Sequence, residues 1–256
     1  MVGCLICVFV SVQAQAELVG YWSFDEVEGR SVVDSSGRGN DGTLSGSMTY
    51  HDVVDGISSK ALLLRGAHVK VPSDPSLENQ EFTLSFLVKT DDYTTKLNGG
   101  ISKGSTFGSG KGAKGAGFAW QICFLNGGAS FDVIDGTAEQ IAQGLTDDNS
   151  RWHMSSARGK IGDNEWHLWT GVISSKFIRL YKDGTLVDEK ERGIQNKDNP
   201  FKLDPVLINY NSSNKDFYIG GSTYKLGGLI DEVRIYNTAL SHDEVAALYS
   251  NAKPVL

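Results

Sequence analysis

From about residue 17 to residue 249 the chain is a succession of short, strand-length apolar runs cut by turn signals. That pattern restricts the fold more than any other feature. A sheet with one apolar face must bury it against a second sheet or a covering layer. The runs include Leu18–Phe24, Ala61–Leu64, His68–Val71, Phe118–Leu125, Ala129–Ile134, His167–Ile173, Phe177–Lys182 and Leu229–Tyr236. Phe82–Val88 alternates as a half-buried strand does. Asn126-Gly127-Gly128 and Asp183-Gly184 are tight-turn signals between paired runs. Thirty Gly against five Pro suit an all-β protein with many turns.

Two segments read as long loops. Lys103–Gly117 is rich in Gly, Ser and Lys, and Gly136–Gly162 is polar and mixed. The one convincing helix is at the end. Ser241-His242-Asp243-Glu244 is a capping box, and Leu240 and Val245 are spaced for a hydrophobic staple. The helix is expected to end near Asn251, with Pro254 beyond it. A chain of 256 residues is long enough for one large sandwich and does not require two domains.

Charge and cysteine content narrow the function. The formal net charge of −7 argues against nucleic acid as a partner, because phosphate binding needs a basic stripe. Residues 1–16 read as a secretory signal. Leu5–Val12 is apolar and Ala14-Gln15-Ala16 supplies a small-x-small cleavage pattern, although no Lys or Arg precedes the apolar run. The run is too short to span a bilayer, so no transmembrane segment is expected. The mature domain then covers 17–250, with a tail at 251–256, and the location is secreted or extracytoplasmic. Only Cys123 remains in it, so neither an internal disulfide nor a zinc-type Cys pair can form.

At this point the residues carry a likeness. Gly20-Tyr21-Trp22-Ser23-Phe24-Asp25-Glu26, followed by Asp34-Ser35-Ser36-Gly37-Arg38-Gly39-Asn40-Asp41-Gly42, resembles the opening of laminin-G-like jelly-roll domains of the concanavalin A-like lectin/glucanase superfamily. Phe82-Thr83-Leu84-Ser85, Asn164-Glu165-Trp166-His167, Leu180-Tyr181-Lys182-Asp183-Gly184 and Phe217-Tyr218-Ile219-Gly220-Gly221 fit the same order. The closing run Gly228-Leu229-Ile230-Asp231-Glu232-Val233-Arg234-Ile235-Tyr236-Asn237 is the most specific. The resemblance implies an all-β, two-sheet antiparallel jelly-roll sandwich, one sheet convex and one concave, with a short C-terminal helix. It also implies that the first and last strands lie near one another.

That proximity gives the acidic residues a meaning. Asp231 interrupts a burial-prone run, and a carboxylate there needs a cation, an Arg or several hydrogen bonds. Related folds often carry a calcium that joins the N-terminal strand, an early loop and the penultimate strand. Asp25, Asn40 and Asp231, with backbone oxygens near Asp41 and Ser59, form an oxygen set of the kind calcium prefers. The alternatives are a turn-capping Asp25, a simple turn at Asp41-Gly42, and an Asp231 paired with Arg234 or Arg179.

The superfamily also contains glycoside hydrolases and polysaccharide lyases. The Glu-x-Asp-x-x-Glu strand of its retaining glucanases is absent. Asp132 and Asp135 have odd spacing and so point to opposite faces of a strand. Gln121-Ile122-Cys123 resembles the Gln-Ile-His strand of the lyases with Cys for His, but no Tyr-Phe-Lys strand follows. A nucleophile pair of Cys123 with His153 or His167 is the remaining catalytic alternative. The expected function is therefore a non-catalytic glycan- or glycoprotein-binding domain, the alternative being a protein-binding adhesive module. Trp120, Trp152, His153, Tyr210 and Tyr224 are the candidate ligand contacts; Trp120 reads equally as core.

Overall fold

The computed structural model describes residues 16–46, 53–57, 59–65, 68–90, 98–104, 118–125, 128–143, 151–157, 162–196, 198–211, 216–221 and 226–252. In chain order the strands are β1 (Leu18–Trp22), β2 (Val27–Glu28), β3 (Ser31–Val32), β4 (Gly42–Leu44), β5 (Val53–Asp55), β6 (Lys60–Arg65) and β7 (Val69–Val71). Next come β8 (Phe82–Lys89), β9 (Asn98–Gly104), β10 (Phe118–Leu125), β11 (Gly128–Gly136), helix α1 (Ala138–Ala142), β12 (Arg151–Ala157), β13 (Trp166–Ile173) and β14 (Phe177–Lys182). The series closes with β15 (Thr185–Glu191), β16 (Ile194–Gln195), β17 (Leu203–Asp204), β18 (Leu207–Ile208), β19 (Phe217–Ile219), β20 (Gly227–Tyr236) and helix α2 (His242–Ala252).

Two antiparallel sheets carry the fold. The first runs β15-β14-β13-β8-β20-β6-β5, with β1 also paired to β20. The second runs β12-β11-β10-β9-β19-β7-β4-β3-β2, with β18 on β11. The first and last strands do meet, with Trp22 opposite Val233, Tyr21 opposite Arg234 and Leu18 opposite Tyr236.

The core is the space between the sheets, and alternation fills it. Phe82, Leu84, Phe86 and Val88 of the first sheet face Trp120, Ile122, Phe124, Phe131 and Val133 of the second. Trp120 lies 4.8 Å from Phe82 between ring centres. Trp22 stacks on Phe217 at 5.0 Å, joining β1 to the opposite sheet. Gly171 of β13 marks a close approach of the two sheets, because a Cβ there would sit 2.5 Å from the Phe131 ring.

The outer side of the first sheet is covered as well. Val172 and Tyr181 pack with Leu240 and Val245 of the α2 region. Thr83 Oγ1 donates to the Thr238 carbonyl and accepts the Leu240 N–H. Phe82–Val88 is therefore buried along its whole length rather than half-buried, since it is a central strand with a lid. The predicted cap of α2 is present: Ser241 Oγ accepts the Glu244 N–H, and the Glu244 carboxylate accepts the Ser241 N–H. The helix continues to Ala252, just past its expected end. In the predicted turn Asp183 and Gly184 have φ of 52° and 73°, the pair of positive values that a primed hairpin turn requires.

Two expectations need correcting. Lys103 and Gly104 end strand β9 rather than open a loop. Glycines and a lysine hid this strand, yet Lys103 is buried and reaches Glu78 at 3.7 Å. Gly136–Gly162 is not one loop: it holds the end of β11, helix α1 and strand β12. Helix α1 has its own capping box, Thr137 with Gln140, which the polar surroundings obscured. The remainder of both segments, and residues 1–15, lie outside the described residues.

Candidate functional site

The first site is the corner where β1 and β6 succeed each other along one edge of β20. Ile230 pairs with Leu62 of β6, while Val233 pairs with Trp22 of β1. Between them Glu232 adopts φ 54°, and the register with β8 shifts, so β20 bulges there. Asp231 sits at the bulge with 1% of its surface exposed. Its Oδ1 accepts the Glu232 N–H at 2.7 Å; its Oδ2 is buried with no hydrogen bond of ordinary geometry, although the Ile57 N–H lies near enough to the carboxyl to favour its charge. The turn between β5 and β6 closes over it, so that a Cβ on Gly56 would lie 2.7 Å from that oxygen. Asp25 joins from the end of β1, accepting the Lys60 N–H on Oδ1 at 2.9 Å. Burial, then the charges of Glu232 and Asp25, push the Asp231 carboxyl up to about 8. Neither arginine considered for it is its partner: Arg234 pairs with Glu232 and Arg179 with Glu189.

The orphaned Oδ2 is the atom that could face a hard cation, and the structure gathers Asp25, Asp231 and the turn that holds Ser59 around it. The Ser59 carbonyl accepts the Gly56 N–H at 2.9 Å, which shapes that turn. The Asn40 amide nitrogen and the Asp41 carboxylate have partners of their own, which leaves open the Asn40 side-chain oxygen and the backbone oxygen near Asp41. Asn40 Nδ2 donates to the Val19 carbonyl and to Ser76 Oγ, and Asp41 Oδ1 accepts the Asp34 N–H. Asp34, which the sequence reading passed over, organises this loop. Its carboxylate accepts the N–H groups of Tyr21, Ser36 and Asn40. Among the described residues no three His, Cys, Asp or Glu side chains converge as a metal-binding group. A cation here would thus rest on two carboxylates plus carbonyl or water oxygens.

The second site is on the outer face of the second sheet. Alternation sends Trp120 and Ile122 of β10, and Phe131 and Val133 of β11, into the core. Gln121, Cys123, Ser130 and Asp132 therefore lie on the other side. Gln121 stands opposite Asp132, and Cys123 opposite Ser130. The row continues through Ser102, opposite Gln121, to Tyr218 and Lys70. Asp132 Oδ2 collects three donors: Gln121 Nε2 at 2.9 Å, Ser130 Oγ at 3.2 Å and Cys123 Sγ at 3.7 Å. Asp132 Oδ1 and Gln121 Oε1 are buried with no partner.

Burial raises the Asp132 carboxyl to about 6, against the lowering effect of its three donors. Its folded value lies above its unfolded one. The associated stability is complete below about pH 4 and is lost as pH rises through about 6. Asp132→Asn is expected to flatten urea-measured stability between pH 4 and 6, and to gain up to roughly 3 kcal/mol at pH 7. An unchanged slope would mean that the carboxyl is solvated.

The remaining predicted residues divide clearly. Trp120 is 1% exposed and packed between Phe82 and Phe217, so it belongs to the core and not to a ligand surface. Tyr210 is also buried, its hydroxyl donating to the Asn79 carbonyl, so it lines no rim. Trp152 and His153 lie in strand β12 rather than in a loop, paired with Ile134 and Val133; their side chains are outside the described set. Tyr224 lies outside the described residues. Asp135 turns away from Asp132, as its spacing required, and pairs with Arg192. Burial pushes the Cys123 thiol up, and His167 sits in the other sheet between Asp163 and Asp183. The Cys123–His167 nucleophile pair is thereby excluded. Among the described residues no helix is long and apolar enough to cross a membrane.

A family model described as the concanavalin A-like lectin/glucanases superfamily matches residues 64–246. No curated protein matches the chain. Among solved structures the chain is similar to domain 4 of AbnA, an extracellular arabinanase of Geobacillus stearothermophilus, in complex with arabinotriose. Identity is 19% and the TM-score 0.61, over 91% of this chain and 98% of that one. It is also similar to the binding domain of Paraclostridial Mosquitocidal Protein 1, at 19% identity and TM-score 0.58, over 92% of this chain and 52% of that one. The ligand-binding domain of botulinum neurotoxin serotype D, in complex with N-acetylneuraminic acid, matches at 15% identity and TM-score 0.58, over 92% and 51%. The chain thus spans about half the length of the two toxin domains.

Proposed function

The chain belongs to the concanavalin A-like lectin/glucanases superfamily, and from that premise we propose that it is a non-catalytic carbohydrate-binding domain stapled by calcium. The observation that carries the sugar reading is the polar row on the outer face of the second sheet. Two of its atoms, Gln121 Oε1 and Asp132 Oδ1, are held without a hydrogen-bond partner, more polar capacity than the fold itself uses. The arabinotriose and N-acetylneuraminic acid held by two similar structures support the same class of ligand. Trp152 stays in the proposal, because on β12 it stands opposite Ile134, in the same alternating register as Asp132.

The binding reading is preferred to a catalytic one because of what surrounds Asp132. Paired glycosidase acids stand about 5 Å apart, or farther where a water intervenes. Among the described residues the hydrogen-bond partners of Asp132 are Gln121, Ser130 and Cys123, none of them an acid. Calcium, when bound, supplies positive charge to the corner, where Asp25 and Asp231 would hold it and so lock β1 and β6 to β20. The leader read in residues 1–16 supports a location outside the cytoplasm.

The test is a glycan array with the full chain, paired with reducing-sugar release from a polysaccharide panel. Retention on at least one glycan class without release is the expected outcome. Release of reducing ends would replace this function with an enzymatic one, and absence of retention on every glycan would end the carbohydrate reading.

A further inference from the structure

We propose that the tip of the β16–β17 hairpin is a sugar platform, on which the Phe201 ring stacks against the apolar face of a pyranose. This rests on the carbohydrate reading above and adds to it a contact on the open surface.

Phe201 leaves 99% of its surface to solvent. Among the described side chains it is the one Phe, Tyr or Trp that stands exposed. The loop that carries it is braced from within. The Asn196 N–H donates to the Lys202 carbonyl at 2.9 Å, and the Lys202 N–H to the Asn199 carbonyl at 3.1 Å. Asn196 Oδ1 accepts the N–H groups of Asp198 and Asn199, and Asn199 Oδ1 accepts that of Phe201. Asn196 Nδ2 closes the base by donating to both carboxylate oxygens of Asp204, at 2.8 and 2.9 Å. Both legs of the hairpin return to the end of β11. Arg192, ahead of β16, is paired with Asp135, and Ile208, after β17, stands opposite Asp135 in the ladder. Two asparagine side chains thus fix the backbone beneath a ring that contributes no burial to the fold. A contact fixed before its partner arrives loses less conformational entropy on binding.

The surroundings of the ring decide what it meets. One Phe side chain offers about 150–250 Å², well short of the roughly 800 Å² a side that a stable protein partner needs. Apart from Pro200 its neighbours at the tip, Asp198, Asn199 and Lys202, are polar and exposed, so the apolar area does not extend beyond it. A bilayer would have to take in the Asp198 carboxylate with the ring, and a chain of net charge −7 is repelled by an anionic one. A pyranose matches both features of the tip. Its axial C–H bonds make a flat apolar face of one ring's width, drawn to the negative face of the aromatic ring. Its hydroxyl edges are placed to meet the polar frame, with Asp198 as acceptor and Lys202 as donor. A ring at an apex is reached directly from solvent, without any opening in the fold.

The experiment titrates full chains at pH 7.5 with cello-, galacto-, xylo- and arabino-oligosaccharides, and sediments each chain with phosphatidylcholine vesicles. Wild type is compared with Phe201→Ala, Phe201→Trp and Asp198→Ala. Their melting curves should coincide with that of wild type, because none of these side chains is packed in the core. Phe201→Ala should weaken the best-bound pyranose probe about tenfold or more, and Phe201→Trp should keep or tighten it. Asp198→Ala should weaken it about threefold or more. The emission of Phe201→Trp, taken as a difference from wild type, should shift to the blue when that probe is added. A sugar affinity that Phe201→Ala leaves unchanged would overturn the platform while carbohydrate binding stands. Vesicle binding that Phe201→Ala abolishes, with sugar affinity intact, would assign the tip to a bilayer instead. If wild type binds none of the four probes the platform falls, and the glycan array decides the carbohydrate reading separately.

Discussion

Calcium added to chelator-treated protein is expected to raise the melting temperature by roughly 5–10 °C. A ligand at a hundred times its dissociation constant stabilises the native state by about 2.7 kcal/mol. For a domain of this size each kcal/mol is worth roughly 2–4 °C. The expectation comes from Asp231, whose Oδ2 is buried with no hydrogen bond of ordinary geometry while Asp25 and Glu232 add negative charge. Asp231→Asn should abolish the calcium response. In chelator the same variant should melt no lower than wild type at pH 8. The amide removes a buried charge that Glu232 and Asp25 oppose. Magnesium at equal concentration should shift the curve less, because it demands tighter octahedral geometry and gives up water reluctantly. A wild-type curve indifferent to calcium would remove the staple, and so would a variant that still responds.

Arg192→Met should lower stability by about 3–5 kcal/mol, the largest loss expected from any single substitution considered. Arg192 follows β15 in the first sheet, and Asp135 ends β11 in the second. Arg192 Nε donates to Asp135 Oδ2 at 3.0 Å and Nη2 to Oδ1 at 2.5 Å, while Nη1 donates to the Ser174 carbonyl. Both side chains are essentially removed from solvent. Taking away the guanidinium leaves a buried carboxylate without its counter-charge, which is costlier than losing both together. The double variant Arg192→Met, Asp135→Leu should therefore recover part of the loss in urea unfolding. A double variant as unstable as the single one would show that the pair contributes mainly through shape.

How much of this was legible in the sequence depends on which signal each residue carried. Strands with regular apolar alternation, such as Phe118–Leu125, were readable because one face had to be buried. The Asp183-Gly184 turn and the Ser241 cap were readable because their chemistry is local. Strand β9 was not, since Asn98-Gly99-Gly100-Ile101-Ser102-Lys103-Gly104 owes its conformation to β10 and β19 on either side. The burial of Asp231 could be foreseen from the apolar residues around it, and the closing of the first and last strands from a resemblance alone. The role of Asp34 was hidden because its three donors come from backbone N–H groups, which leave no trace in side-chain identity. Gln121 and Asp132 could each be placed on a strand, but only the register between β10 and β11 sets them opposite each other.

The β1–β20 ladder also has a mechanical meaning. The chain enters it at Glu17, whose N–H donates to Asn237 Oδ1, and leaves at Asn237, so both tethers emerge from the same end. Once helix α2 is peeled back, a force applied between those tethers would open the rungs one after another rather than shear them together. Such a zipper yields at low load until it reaches Trp22 and Val233. Immediately beyond lies the Asp25–Asp231 corner, so an ion held there would act as a clasp on the zipper, making the domain's resistance to pulling a function of the calcium around it.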